Sequence, residues 1–165
     1  MALFQSFEED ALYLSMHDVH DNLSRYAKTP FSLDDEDWPS VEHYYQAMKF
    51  NDVELKSKIR NSENPDAASK LAKRWHNKRK IRSDWKNIKT TIMTRAIYTK
   101  CRTYEDIAKR LLDTEKVTIV ENSQYDYFWG CGRDKRGDNH FGNVLMNVRA
   151  KLAEEILSNR STSQN

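Results

Sequence analysis

The sequence predicts a mainly α fold, a single multihelical domain with a few short β-strands. Three observations carry that reading. Apolar residues recur at intervals of three and four, as in Trp85, Ile88, Ile92 and Ala96 and in Leu145, Val148, Leu152 and Ile156, the repeat of a helix with one buried face. Helix-opening residues stand just ahead of such stretches: Ser40, the pair Asn64-Pro65, and Ser83-Asp84. Alternating β-branched sequence is confined to short pieces such as "KVTIV".

Taken in order, "ALYLSM" is expected as a short strand. "FSL", the acidic turn Asp34 to Asp37 and Trp38 predict a small hairpin or bent strand. Ser40 caps the next helix, with Glu42 in its first turn, and Asp52 caps "VELKSKIRN", read as the same helix continuing after a bend. Asn64 as cap and Pro65 at the first helical position open "DAASKLAKRW". Thr103 to Asp106 has the form of a capping box before "IAKRLLD". The last helix, "NVLMNVRAKLAEEIL", runs into "SNRSTSQN", expected as a frayed tail. The domain is placed at 1–158 and the flexible tail at 159–165, with no repeat or linker inside the domain.

A chain of 165 residues has length for one sizeable core. Its composition is polar, with 38% hydrophobic against 32% charged residues and a mean hydropathy of −0.89. Four Trp, eight Tyr and six Phe nevertheless argue against disorder. No run approaches the roughly 18 apolar residues of a membrane span. The opening "MALFQSFEEDALYL" carries acids where a signal peptide has basic charge, so a cytoplasmic protein is expected. Cys101 and Cys131 make neither a disulfide framework nor a four-ligand zinc site.

The net charge of +2 says little about partners, but the charge is uneven. From Lys70 to Lys89 nine Lys or Arg stand against one acid, Asp84. Such a run is either a solvated helix face with a basic loop or a surface for phosphates or a nucleic-acid backbone.

"WPSVEHYYQAMKF", residues 38–50, mixes core-forming aromatics with polar groups. On a helix Glu42, Gln46 and Lys49 form one stripe flanked by Tyr45, while Val41, Tyr44 and Met48 share another face. The stripe is either solvated or the lining of a polar cleft inside an aromatic shell. A carboxylate in the first helical turn is favoured in its charged form, which suits Glu42 to activating water or stabilising positive charge. Lys49 is either a charge partner or, in a dry aromatic setting, an amine nucleophile.

A second cluster holds Glu121, Asn122, Asp126, Trp129 and Gly130, then the loop to Asn139 and Gly142. Its glycines would let backbone approach a ligand closely, with Asp126 a carboxylate beside the Trp129 ring. Otherwise it is a glycine-bearing surface loop anchored by Trp129. His17 and His20 with Asp18 and Asp21 match no standard helical zinc motif, and Cys131 has no clear His partner.

These segments resemble the YbiA-like family, also called NADAR domains. The likeness rests on "NLSRYAKTPF", "DDEDWPSVEHYYQAMKF", "IRSDWKNIK", "VENSQYDYFWGCG" and "DNHFGNVLMNVRAKL", in the family's order from about Leu12 to Leu152. The resemblance implies a YbiA-like α+β fold and an N-glycosidase. Its substrate would be a small phosphorylated N-glycoside, such as an early riboflavin-pathway intermediate yielding ribose 5-phosphate, or ADP-ribosylated guanine in nucleic acid. It implies no metal, no bound redox cofactor, no membrane and no obligate protein partner. By matching motif positions, Glu42, Lys49, Trp85, Asp126, Trp129 and Asn139 become functional candidates, with Tyr45, Gln46 and Gly130 beside them. Arg25 is a departure, since the family commonly has Asn there, and Cys131 is another.

Two mechanisms remain open. In one, Glu42 with Asp126 stabilises an oxocarbenium-like state or activates water. In the other, Lys49 attacks the anomeric carbon and holds the opened sugar as a Schiff base. Trp129 or Trp85 would stack on the base, and Lys or Arg would take the phosphate. The competing class is a non-catalytic module binding ADP-ribose, NAD-like ligands or nucleic acid.

Overall fold

A computed structural model describes residues 10–164. In chain order its elements are β1 (Leu12–Leu14), β2 (Phe31–Leu33), β3 (Glu36–Trp38), α1 (Val41–Ala47), α2 (Val53–Arg60) and α3 (Pro65–Lys73). A 3-10 helix over Trp75–Lys80, α4 (Trp85–Thr103), α5 (Glu105–Leu112), β4 (Ile119–Glu121) and α6 (His140–Thr162) complete the order. The architecture is therefore mainly helical with a few short strands. Among the described residues no helix is long and apolar enough to cross a membrane. Contacts divide the chain into two units: one runs His17–Thr103, and the other joins the described chain up to Met16 with everything from Tyr104 onward.

In the unit His17–Thr103, β2 and β3 pair antiparallel with Phe31 opposite Trp38. Asp34 and Asp35 both hold positive φ, 56° and 60°, the backbone of a two-residue hairpin turn matched to strand twist. The turn is tighter than expected, because Glu36 and Asp37 belong to β3. The hairpin is tied down by Asp34, whose carboxylate accepts from Tyr44 of α1 at 2.8 Å and from Arg95 of α4 at 2.6 Å.

Ser40 opens α1, its Oγ accepting from the His43 N–H at 3.2 Å. Every residue of α1 is buried, and α2, α3 and α4 pack around it. A helix covered on all sides is a core helix, whatever its polarity. It ends early: Lys49 N–H turns back to Gln46 O at 3.3 Å and Phe50 N–H to Ala47 O at 3.1 Å. Asp52 then caps a separate helix, accepting from Leu55 N–H at 3.0 Å, so α2 is not a bent continuation of α1. Asn64 caps α3 in the same way, at 2.8 Å from Ala67 N–H. Along α4, Trp85, Ile92 and Ala96 are buried and Ile88 half-buried. The expected capping box at Thr103 does not form. Thr103 ends α4 and bonds back to Thr99 O at 2.8 Å, and Tyr104 precedes α5 without a side-chain cap.

In the other unit β1 and β4 pair in parallel, Leu12 with Ile119 and Leu14 with Glu121. Strand β4 is buried throughout and packs on α6, which also receives α5. Leu145, Val148 and Leu152 form the buried stripe of α6, while Ile156, expected on the same face, is exposed beyond its end. The helix continues through Thr162 with exposed residues, into the stretch read from sequence as tail.

Candidate active site

The candidate site is built around the first turn of α1. Ser40 fixes where that helix starts, and so where Glu42 points. The preceding loop brings Arg25 alongside: the Glu42 N–H donates to Arg25 O at 2.9 Å. Two further bonds hold this loop, from buried Lys100 Nζ to Ser24 O at 2.8 Å and from Tyr26 N–H to Ser24 Oγ at 3.0 Å. Arg25 Nε then donates to Glu42 Oε2, in an ion pair whose side chains are 5% and 1% exposed.

One turn along, Gln46 Nε2 donates to Glu42 Oε1 at 2.6 Å. Both carboxylate oxygens are therefore engaged. Glu42 and Gln46 are buried, which removes the solvated-stripe alternative for these two residues. Gln46 Oε1 is left buried with no hydrogen-bond partner among the described residues, an unmet acceptor inside the site.

Aromatic rings cover the polar pair. The Arg25 guanidinium lies 4.3 Å from the centroid of the Tyr45 ring, and Tyr45 packs on Trp85 at 5.1 Å, tilted by 58°. Lys49 lies beyond the end of α1 rather than on it. Its Nζ is 5.3 Å from the Tyr45 centroid and 6.0 Å from that of Trp85, distances at which a ring face attracts a cation. Tyr45 and Trp85 are buried, and Lys49 is half-buried. Burial lowers the Lys49 pKa to about 8. Glu42 pulls it back up, and the charges of Arg25, Lys73 and Lys89 push it down. The amine thus lies much nearer neutrality than a surface lysine.

In the other unit, the Asp126 and Asn139 side chains hydrogen-bond to backbone groups, and Trp129 and Gly130 are buried. Asp126 Oδ1 accepts from the N–H groups of Phe128 and Trp129, at 3.0 and 2.7 Å. Trp129 is buried and meets Phe128 edge to face at 4.9 Å. Asn139 is buried and bridges β4, accepting from Glu121 N–H at 2.8 Å and donating to Ile119 O at 2.9 Å. Buried Glu121 accepts from Met16 N–H at 3.1 Å and Ser123 N–H at 3.0 Å. A side chain at Gly130 would meet Glu121 Oε2, and one at Gly142 would meet Ile119 O and Asn139. The close approach expected of these two glycines is thus made by the chain itself.

Asp18 and Asp21 each accept from a backbone N–H two residues on, His20 and Leu23, at 2.9 Å. Among the described residues no group of three His, Cys, Asp or Glu side chains gathers. The sequence marks Arg25 only as a departure from the family pattern, one expected to retune the substrate pocket, and assigns no site role to Lys100. Nothing in spacing links Arg25 to Glu42.

Fold and site together define a mainly helical protein with a buried Arg-Glu pair and a low-pKa lysine under aromatic cover. The chain belongs to the NADAR family: residues 4–153 match the NADAR domain. It is 39% identical over 132 residues to the N-glycosidase Npun_R5314 of Nostoc punctiforme, covering 78% of this chain and 83% of that protein. It is 31% identical over 143 residues to the N-glycosidase YbiA of Escherichia coli, covering 87% and 88%. The NMR structure of the E. coli protein YbiA matches with a TM-score of 0.80 at 30% identity, over 91% of this chain and 89% of that one. A riboflavin biosynthesis protein of Vibrio vulnificus, VVA0006, is 33% identical over 147 residues, 89% of this chain but 40% of that protein.

Proposed function

We infer that this NADAR-family chain is an N-glycosidase, a hydrolase acting on N-glycosyl compounds, and that its substrate is a phosphorylated ribosyl N-glycoside of the early riboflavin pathway. Relatives named N-glycosidase match it over most of both chains, and a further relative is named for riboflavin biosynthesis. These names weigh against the non-catalytic binding module. Free thiols at Cys101 and Cys131 fit a reducing, cytoplasmic setting.

One observation carries the mechanism. Glu42 is buried with both oxygens taken, whereas Lys49 is half-buried and holds a depressed pKa. The lysine is therefore the better placed group to touch substrate. Its neutral amine attacks the anomeric carbon, and the electrons of the C–N bond leave with the base nitrogen, which takes up a proton. The ring C–O bond then opens, its electrons and a proton from the lysine nitrogen passing to the ring oxygen, which leaves a protonated imine between sugar and Lys49. Water adds to the imine carbon, the amine departs, and the sugar phosphate is released. Glu42 supplies fixed negative charge for the cationic states on this path, and the Tyr45 and Trp85 rings keep the amine out of bulk water.

A second reading, ADP-ribosylated guanine in nucleic acid, is favoured by a surface observation. Trp75 is 76% exposed, beside exposed Lys73, Arg74, Lys78 and Arg79. Lys70 and Lys80 pair with Asp66 and Asp52, whereas those four show no such pair among the described residues. An exposed indole among these cations fits a single strand, by stacking and phosphate contact.

Side-by-side incubation with a phosphoribosyl riboflavin-pathway intermediate and with ADP-ribosylated guanine in an oligonucleotide tests both. Release of ribose 5-phosphate at much the higher kcat/KM supports the first reading. Preferential release of ADP-ribose, weakened steeply by salt, transfers the assignment to the second.

A further inference from the structure

We propose that Arg25 is a positioning residue for Lys49: by occupying the Glu42 carboxylate it withholds an ion-pair partner from the Lys49 ammonium and keeps that amine available as a nucleophile. Arg25 acts here through Lys49, so the assignment rests on the lysine route.

Two cations feel the charge of one buried carboxylate. Arg25 holds Glu42 Oε2, and Gln46 takes Oε1. Guanidinium stays charged under all ordinary conditions, whereas an amine can shed its proton, so the arginine is the stable tenant of the pair. Its place is enforced from several sides: its own carbonyl takes the Glu42 N–H, Lys100 holds the neighbouring Ser24 carbonyl, and its guanidinium lies against Tyr45. Lys49 has two aromatic rings for neighbours and no carboxylate within ion-pair distance among the described residues.

The charged groups acting on Lys49 come from four segments. Glu42 of α1 favours the ammonium; Arg25 of the loop, Lys73 of α3 and Lys89 of α4 oppose it. Removing Arg25 acts twice in one direction. A repelling charge disappears, and Glu42 is released to pair with Lys49. Both effects favour the protonated, unreactive amine. Replacing Arg25 and Glu42 together by apolar residues removes the repelling charge and the freed carboxylate at once.

The experiment measures acetylation of Lys49 against pH by peptide mass spectrometry in the full chain, alongside borohydride trapping and pH-rate profiles. In the wild-type protein the Lys49 midpoint is expected well below those of the surface lysines. In Arg25→Gln it rises by about one pH unit or more, and the pH-rate profile moves alkaline with it. In Arg25→Met/Glu42→Leu the midpoint falls back towards the wild-type value. A wild-type midpoint equal to the surface lysines overturns the proposal even if Arg25→Gln does not fold. So does an unshifted midpoint in a folded Arg25→Gln protein. If that unshifted lysine is still trapped with sugar, the lysine route survives and only the role of Arg25 fails. Shifted labelling with no trapped sugar in any variant removes the lysine route itself, and the proposal with it.

Discussion

Arg25 and Glu42 form an ion pair almost wholly out of water, with side chains 5% and 1% exposed. Such a pair adds little net stability against an apolar replacement, but losing one member strands the other charge. Arg25→Ala or Glu42→Ala alone is expected to cost about 3–5 kcal/mol in urea unfolding. Arg25→Met/Glu42→Leu should cost far less. Equal losses for single and double variants would show that packing, not charge, governs this position.

Lys49 is expected to be a stability cost that function retains. Its folded pKa of about 8 lies below the ordinary lysine value. Below the folded value the protonated amine is disfavoured in the folded state and the cost is full. Between that value and the unfolded one the unfolded chain binds more protons, so stability rises with pH and the cost fades. Lys49→Met should therefore raise the unfolding free energy at pH 7 by about 1–3 kcal/mol, with the gain shrinking towards pH 10. It should also abolish glycosidase activity. A folded, fully active Lys49→Met protein clears Lys49 of any catalytic part.

Lys100 is buried with its ammonium on Ser24 O, next to Arg25. Lys100→Met leaves that carbonyl without its donor, a loss of about 1–3 kcal/mol. If the tether also fixes the loop, the Lys49 labelling midpoint should rise as it does in Arg25→Gln, though less. A destabilised protein with an unmoved midpoint restricts Lys100 to folding.

In the other unit, Asn139→Ala removes the partners of Glu121 N–H and Ile119 O together. Each stranded buried group costs about 1–3 kcal/mol, so a marked fall in Tm is expected by calorimetry. Unchanged stability with weakened substrate binding would instead make Asn139 a binding residue.

Much of the fold was legible because it is written in local signals. Ser40, Asp52 and Asn64 each cap the helix they precede, and Asp34-Asp35 makes the hairpin. The boundaries that escaped were set by tertiary context. Thr103 has cap chemistry, yet its hydroxyl finds the Thr99 carbonyl one turn back and α4 runs through it. The polar stripe of α1 could not be placed by periodicity, because α1 is buried on every side. Glu42 and Gln46 were legible as candidates. Their meaning came from Arg25, which is remote in sequence and joins them through a loop no repeat predicts. Asp126, Asn139 and Gly130 share one sequence neighbourhood, but periodicity could not show that their bonds go to their own backbone.

The most direct test is borohydride reduction during turnover of the ribosyl substrate, followed by peptide mass mapping. A sugar-phosphate adduct on Lys49, absent from Lys49→Met and from reactions without substrate, is the predicted result. Full turnover with no adduct on Lys49 would contradict the account and return the chemistry to a carboxylate.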